Sequence, residues 1–304
     1  MKNKLYMSKK FLYTAGIVLT ILIGTLLYWK YCCPCHSKEK PMLTDDIQMG
    51  DYNIFNLSGP GINYQSDVNF RFAKNNYDHL LPVHDSINAG LDVLKSHFDK
   101  VKNQRLKITG YYTEDEKNTS AFPNLGLARA NNVKNFLVSK GISAERIDIS
   151  GEARELWRLD ADTLIGPIDF HIDEFDMKAS PSVDYKALKE KINASPLILY
   201  FETNQAEINL TAEERQKVAD LVNYLDKVPS AKISCVGHTD NSGDRNTNIR
   251  LGQERADFAK AYLVKNGIAV DKIVSSSKGP DEPISDNNTP EGKSKNRRTV
   301  VTLQ

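Results

Sequence analysis

One constant offset constrains this chain more than any other feature. Leu125, Gly126, Arg129, Ala130, Leu137, Val138, Gly141, Ile142 and Ile147 each recur 126 positions later, as Leu251, Gly252, Arg255, Ala256, Leu263, Val264, Gly267, Ile268 and Ile273. Matches at one spacing over such a span predict two copies of one module. Each copy is long enough to bury a core of its own, so a pair of domains is expected rather than a solenoid.

Hydrophobic periodicity gives both copies the order β-α-β-α-β-β and places the chain in the α+β class. In the first, Val68, Phe70 and Phe72 alternate as a strand, and Ile87, Leu91, Leu94 and Phe98 follow at helical steps. Leu106 and Ile108 mark a second strand. A helix carrying Val133, Phe136 and Leu137 stops at Gly141, strand residues Ile147 and Ile149 follow, and a last strand lies within 165–172. In the second copy, Leu197 to Phe201 reads as a strand, and Thr211-Ala212-Glu213-Glu214 has capping-box spacing ahead of Val218, Leu221, Val222 and Leu225. Ile233 to Gly237 is the next strand. A helix over about 247–266 stops at Gly267, and strands begin at Ile273 and Thr299. The modules are expected at 67–175 and 197–304, joined by a charged linker over 176–196 with a short helix near 184–192.

The net charge of +1 lacks the basic excess that a nucleic-acid binder needs. Hydrophobicity is concentrated near the N-terminus. Residues 11–29 hold no charged side chain and would span roughly 28 Å as a helix, close to a bilayer core of about 30 Å. Tyr28, Trp29 and Tyr31 suit an interfacial belt. An uncleaved transmembrane signal anchor over 11–31 is expected, with 1–10 as a cytoplasmic tail and 32–66 as a tether. The rival is a signal peptide, but the apolar run exceeds the usual h-region and no small-x-small cleavage pattern follows. Cys32, Cys33 and Cys35 beside it read as acylated or free juxtamembrane thiols, because no second set of ligands completes a zinc site.

The chemistry concentrates between Ile233 and Arg298. Asp240 follows a strand in a loop closed by Gly243, and Arg255 is expected near the start of the next helix, where backbone amides add anion-binding capacity. A carboxylate opposite a forked guanidinium suits a ligand bearing an ammonium and a carboxylate on one carbon. The same two side chains could instead pair with each other as a structural salt bridge. His238 reads as a loop-packing residue: no Ser or Cys nucleophile pairs with it and no second His stands at metal-ligand spacing. No catalytic residue, metal or cofactor is expected. Asn248 is expected to order the loop. Of Arg297 and Arg298, one is expected inside and the other solvated.

Residues 197–304 resemble the OmpA-like peptidoglycan-binding domain. The resemblance rests on Gly237-His238-Thr239-Asp240, Asn248, Leu251, Arg255-Ala256, Gly267-Ile268, then Asn287, Thr289, Gly292 and Asn296-Arg297-Arg298. The one small departure is Leu251-Gly252 where Leu-Ser is usual. The resemblance implies a mixed sheet backed by helices. It also implies that Asp240 and Arg255 meet the diaminopimelate end of a peptidoglycan stem peptide, with Thr239, Asn241, Asn248, Leu251 and Arg298 around them. The first copy resembles the family weakly. It keeps Arg129, has Gly110-Tyr111-Tyr112-Thr113 in place of the Gly-His-Thr-Asp run, and lacks the Asn-Arg-Arg ending. Glu114 lies as far before Arg129 as Asp240 before Arg255. This copy is expected to have lost wall binding and to serve as a spacer, or as a surface for a second copy or another envelope protein.

The expected function is a non-catalytic envelope protein that binds peptidoglycan and links a membrane to the wall, with the modules in the periplasm. The inner membrane is favoured, and the outer if the N-terminal segment is cleaved or lipidated. The alternative is a scaffold or stator-like subunit of an envelope machine. Stator subunits carry an acid within the membrane, and 11–29 contains none. A wall-cleaving enzyme would need a metal triad or an activated nucleophile, and neither is found.

Overall fold

The computed structural model describes residues 19–23, 25, 53–155, 159–175, 184–201 and 209–304. Residues 50–304 make one compact unit and Met1–Met49 another. In the latter, residues 19–23 and 25 are helical, and Leu19, Ile21, Leu22 and Ile23 are exposed. No helix among the described residues is long and apolar enough to cross a membrane. Most of the expected 11–31 span, Cys32, Cys33, Cys35 and the first part of the tether lie outside those residues.

The 50–304 unit begins with a hairpin of β1 (Phe55–Gly59) and β2 (Ile62–Ser66), followed by β3 (Arg71–Ala73), α1 (Asp85–Lys100) and β4 (Gln104–Tyr112). Next come α2 (Leu125–Ser139), β5 (Ile147–Ala153), β6 (Leu159–Asp160), β7 (Thr163–Ile165) and β8 (Ile168–Glu174). Helix α3 (Tyr185–Ala194) leads into β9 (Leu197–Tyr200), α4 (Ala212–Lys227), β10 (Ile233–His238) and α5 (Arg245–Lys265). The chain closes with β11 (Ile273–Gly279), α6 (Pro290–Asn296) and β12 (Arg298–Leu303). The capping box forms: Thr211 and Glu214 satisfy each other's backbone donors at the start of α4.

Both halves are built on a mixed sheet. In the first the strand order is β5-β4-β8, with β4 parallel to β5 and antiparallel to β8. In the second it is β11-β10-β12-β9, with β10 parallel to β11 and antiparallel to β12. A helix lies close on each central strand because glycines face each other there. A Cβ on Gly110 would stand 2.0 Å from the Gly126 carbonyl oxygen, and one on Gly237 would stand 1.8 Å from that of Gly252. Arg129 and Arg255 follow these helix glycines by three residues and therefore share their sheet-facing side. A Cβ at Gly252, where serine is usual in the family pattern, would meet the Ser277 hydroxyl at 2.2 Å and the Gly237 carbonyl oxygen at 3.0 Å, so a serine there needs the Ser277 side chain to move.

Three local readings differ. The stretch read as tether up to residue 66 contains the β1–β2 hairpin, which buries Phe55, Leu57 and Ile62. Its turn runs through Pro60 and a left-handed Gly61 (φ 78°), and in sequence those glycines look like loop. The alternating run at Val68–Phe72 yields only the short β3, which pairs with β7 in a separate three-stranded sheet with β6. A further helix, α6, precedes the last strand, so the second half reads β-α-β-α-β-α-β.

The halves are packed together. Tyr77, Ala121, Phe122, Leu125 and Ala128 of the first lie in one hydrophobic core with Val218, Leu221, Leu263 and Ile273 of the second. Polar contacts fix the interface. Ala121 N donates to Asn266 Oδ1 (2.7 Å), Asn135 Nδ2 to the Gly267 carbonyl (2.7 Å), and Lys134 Nζ meets Asp226 Oδ2 at 2.5 Å. Burial pushes the Lys134 ammonium down and the Asp226 carboxyl up, against their mutual attraction.

Candidate functional site

The second half places Asp240 in the loop after β10, where it is mostly buried. Its Oδ1 accepts from Ser242 N at 2.9 Å and its Oδ2 from Arg297 Nη1 at 3.1 Å. Burial alone would raise the Asp240 carboxyl. The Ser242 amide and Arg297 outweigh it and hold the carboxyl below its usual range. Arg255 reaches the same loop, where its Nη1 donates to the His238 carbonyl at 3.0 Å, with the guanidinium 6.0 Å from the centre of the Phe201 ring. Burial and the neighbouring Arg297 push the Arg255 guanidinium below its ordinary pKa, against the attraction of Asp240. No carboxylate among the described residues forms an ion pair with Arg255.

Two features of this arrangement differ from expectation. Arg255 sits in the middle of α5, not near its start. The helix N-terminus is capped instead by Asp244, whose carboxylate accepts from Thr247 N at 2.9 Å. The residue that braces Asp240 is Arg297. Arg298 is buried with its Nη2 on the Glu282 carbonyl (3.1 Å) and its Nη1 on that of Asn296 (3.4 Å). Of the neighbouring arginines Arg298 is therefore the inner one, while Arg297 is only partly exposed and is held in an ion pair.

The other expected residues divide between frame and surface. Thr239 is buried, its amide bound to the Gly279 carbonyl (2.9 Å) and its hydroxyl without a partner. Asn248 is buried and ties down the loop by donating to the Ser242 carbonyl at 3.0 Å, the ordering role its position suggested. Leu251 is half-buried on α5, and Asn241 is exposed at the loop. His238 is buried, and burial followed by the charge of Arg298 pushes its imidazole down to about 4. Asn296 belongs to the Asn-Arg-Arg ending that carries the resemblance, but it had no place among the expected site residues. Fully buried, it accepts from Ile284 N (2.8 Å) and Ser285 N (3.1 Å) and donates to the Ser285 carbonyl, shaping the loop before α6.

In the first half the corresponding arginine is fully occupied. Arg129 donates to Glu116 through Nη1 (2.9 Å) and Nη2 (2.5 Å), to the Tyr111 carbonyl at 2.8 Å and to the Asn76 carbonyl at 3.0 Å. Both side chains of the ion pair are 0 % exposed. The acid is Glu116; Glu114, expected from its spacing, is exposed. A loop's path, unlike a helix's, does not conserve residue counts.

Comparison with known proteins places the chain. The OmpA family model matches residues 84–162 and 200–297, so this protein belongs to the OmpA family. Among its relatives is a peptidoglycan-associated lipoprotein of Buchnera aphidicola, 35 % identical over 106 residues, which are 35 % of this chain and 60 % of the relative. Another is the peptidoglycan-binding protein ArfA of Mycobacterium tuberculosis, 33 % identical over 125 residues, which are 41 % of this chain and 37 % of that protein. The chain thus spans less than two thirds of the length of either. The crystal structure of the peptidoglycan-associated lipoprotein from Burkholderia pseudomallei aligns with 35 % of this chain and 89 % of its own, at 23 % identity and a TM-score of 0.32.

Proposed function

We propose that the second half is a non-catalytic peptidoglycan-binding module whose Asp240 and Arg255 take the free amino-acid end of a stem peptide, that of diaminopimelate. One observation carries the reading. Arg255 reaches the Asp240 loop with one hydrogen bond to a backbone carbonyl and no carboxylate among the described residues, beside an acid that is held ionised. A ligand carboxylate completes the guanidinium and its ammonium meets Asp240, each a charge-assisted hydrogen bond. The likeness to a peptidoglycan-associated lipoprotein of Buchnera and a peptidoglycan-binding protein of Mycobacterium supports peptidoglycan as the ligand class. Arg297 is the positioning residue that fixes Asp240, while Thr239, Asn248, Leu251 and Arg298 frame the loop and Asn241 lies at its rim.

The apolar 11–29 stretch is the anchor in this proposal. It ties the module to a membrane, so that the chain links membrane to wall, with the first half as a rigidly docked spacer. The test is co-sedimentation of the full-length chain with diaminopimelate-type sacculi. Asp240→Ala and Arg255→Ala are expected to weaken binding by about 1–3 kcal/mol, the cost of an unpaired charged partner. Wild-type protein that stays in the supernatant would overturn the proposal.

A further inference from the structure

The Glu116 carboxylate sits in a cradle built for a carboxylate. Its Oε1 accepts from Arg129 Nη2 (2.5 Å) and from Asn75 N (3.0 Å), and its Oε2 from Arg129 Nη1 (2.9 Å) and Thr113 N (3.1 Å). A bidentate guanidinium and two backbone amides, one from each of two loops, thus enclose a single anionic group. Burial opposes ionisation there, but Arg129 and the two amides hold the Glu116 carboxyl below its ordinary range. The residue that supplies this anion comes from the β4–α2 loop, not from a strand or helix of the framework. Beside it opens a cleft of about 760 Å³ whose lining includes Glu116, Lys74, Arg154 and Leu164. The same cleft carries Glu114, Asp115 and Glu155, with Asp115 paired to Lys74 at 2.6 Å.

We infer that the first half retains a carboxylate-binding site that Glu116 fills in cis, so that this site is closed by its own chain. The cradle made by Arg129, Asn75 and Thr113 accepts the carboxylate end of a small acid or amino acid once Glu116 is withdrawn. The acids of the cleft favour a ligand that also carries an ammonium. The inference concerns Arg129 and does not depend on the ligand assigned to Asp240 and Arg255.

The experiment is chemical rescue in the full-length chain in detergent. Glu116→Ala removes the side chain beyond Cβ and leaves a hole of about the size of acetate. Its thermal midpoint is compared in sodium chloride and in sodium acetate at equal ionic strength. Acetate is expected to raise the Tm of Glu116→Ala by about 2–4 °C relative to chloride, as a ligand bound to the folded state does. It is expected to leave wild type unchanged and to have no effect on a Glu116→Ala/Arg129→Met double variant. Equal midpoints in the two salts, or a rescue that survives the loss of Arg129, overturn the inference. If Glu116→Ala does not fold in chloride, refolding yield becomes the readout: recovery in acetate supports the site, and failure in every carboxylate tested overturns it. Rescue reads Arg129 and sacculus binding reads Arg255, so each assay can fail while the other stands.

Discussion

Arg129 and Arg255 stand at matching places on matching helices and live in opposite circumstances. Each sits three residues after a glycine pressed on the central strand, and each gives a hydrogen bond to a carbonyl near that strand's end. Arg129 then closes on Glu116 with neither side chain exposed, whereas Arg255 remains partly exposed with its nearby acid held by a second arginine. The difference teaches that the arginine belongs to the framework and that the loop acid decides its use. A carboxylate that reaches the guanidinium makes it a buried brace; one that is held aside leaves the guanidinium with no ion pair among the described residues.

The largest expected effects break the braces. Glu116→Ala leaves a buried guanidinium uncompensated and is expected to cost about 3–5 kcal/mol by urea unfolding, while Arg255→Ala costs much less stability and loses sacculus binding instead. Equal destabilisation by the two substitutions would erase the contrast. The interface pair gives a loss of similar size. Lys134→Met strands the mostly buried Asp226, at about 3–5 kcal/mol, and pairing it with Asp226→Leu should restore much of that loss.

The next effect concerns pH and only the second half. His238 has a folded pKa of about 4 against an unfolded value near 6.5, so the unfolded chain takes up the proton first. Its stabilisation is complete above about pH 6.5, declines as pH falls, and is lost below the folded pKa, a loss of about 3 kcal/mol. His238→Gln, compared with wild type by denaturant unfolding from pH 7 to pH 4, should remove that part of the acid sensitivity. A wild type and variant with parallel pH curves would show that His238 is not the group responsible. The smallest effect is kinetic. Burial pushes the Cys235 thiol up to about 12, so alkylation of Cys235 at pH 8 should be negligible in the native state and appear on unfolding.

Local signals were read directly. The capping box at Thr211, the glycine stops at Gly141 and Gly267, and the helical spacing around Arg129 and Arg255 involve residues within a few positions of each other. The site was only half legible for a related reason. Arg297 and Arg298 are neighbours, and the register of β12 against β9 sets Arg298 opposite the exposed Tyr200, so what buries Arg298 is the segment carrying Glu282 and Asn296, a contact that no spacing reveals. Glu114 and Glu116 are likewise equivalent as letters, and the loop between β4 and α2 chooses between them. The hairpin at 55–66 was hidden by its turn glycines, and the shared core was hidden because Tyr77, Ala121 and Phe122 meet their partners only across the two halves.

The sequence by itself determined the two α+β patterns, the paired helix arginines and the family to which the 197–304 region has its resemblance. It could do so because helix periodicity, caps and glycine contacts are set by short-range spacing. Tertiary structure alone decided that Tyr77, Ala121, Phe122, Leu125 and Ala128 of the first half join the core of the second, beside a separate core of the first half's own, and that Arg297 holds Asp240. It alone also decided that Glu116, not Glu114, pairs with Arg129. Those choices depend on where loops run and which side of a strand faces inward, and neither is fixed until distant segments pack.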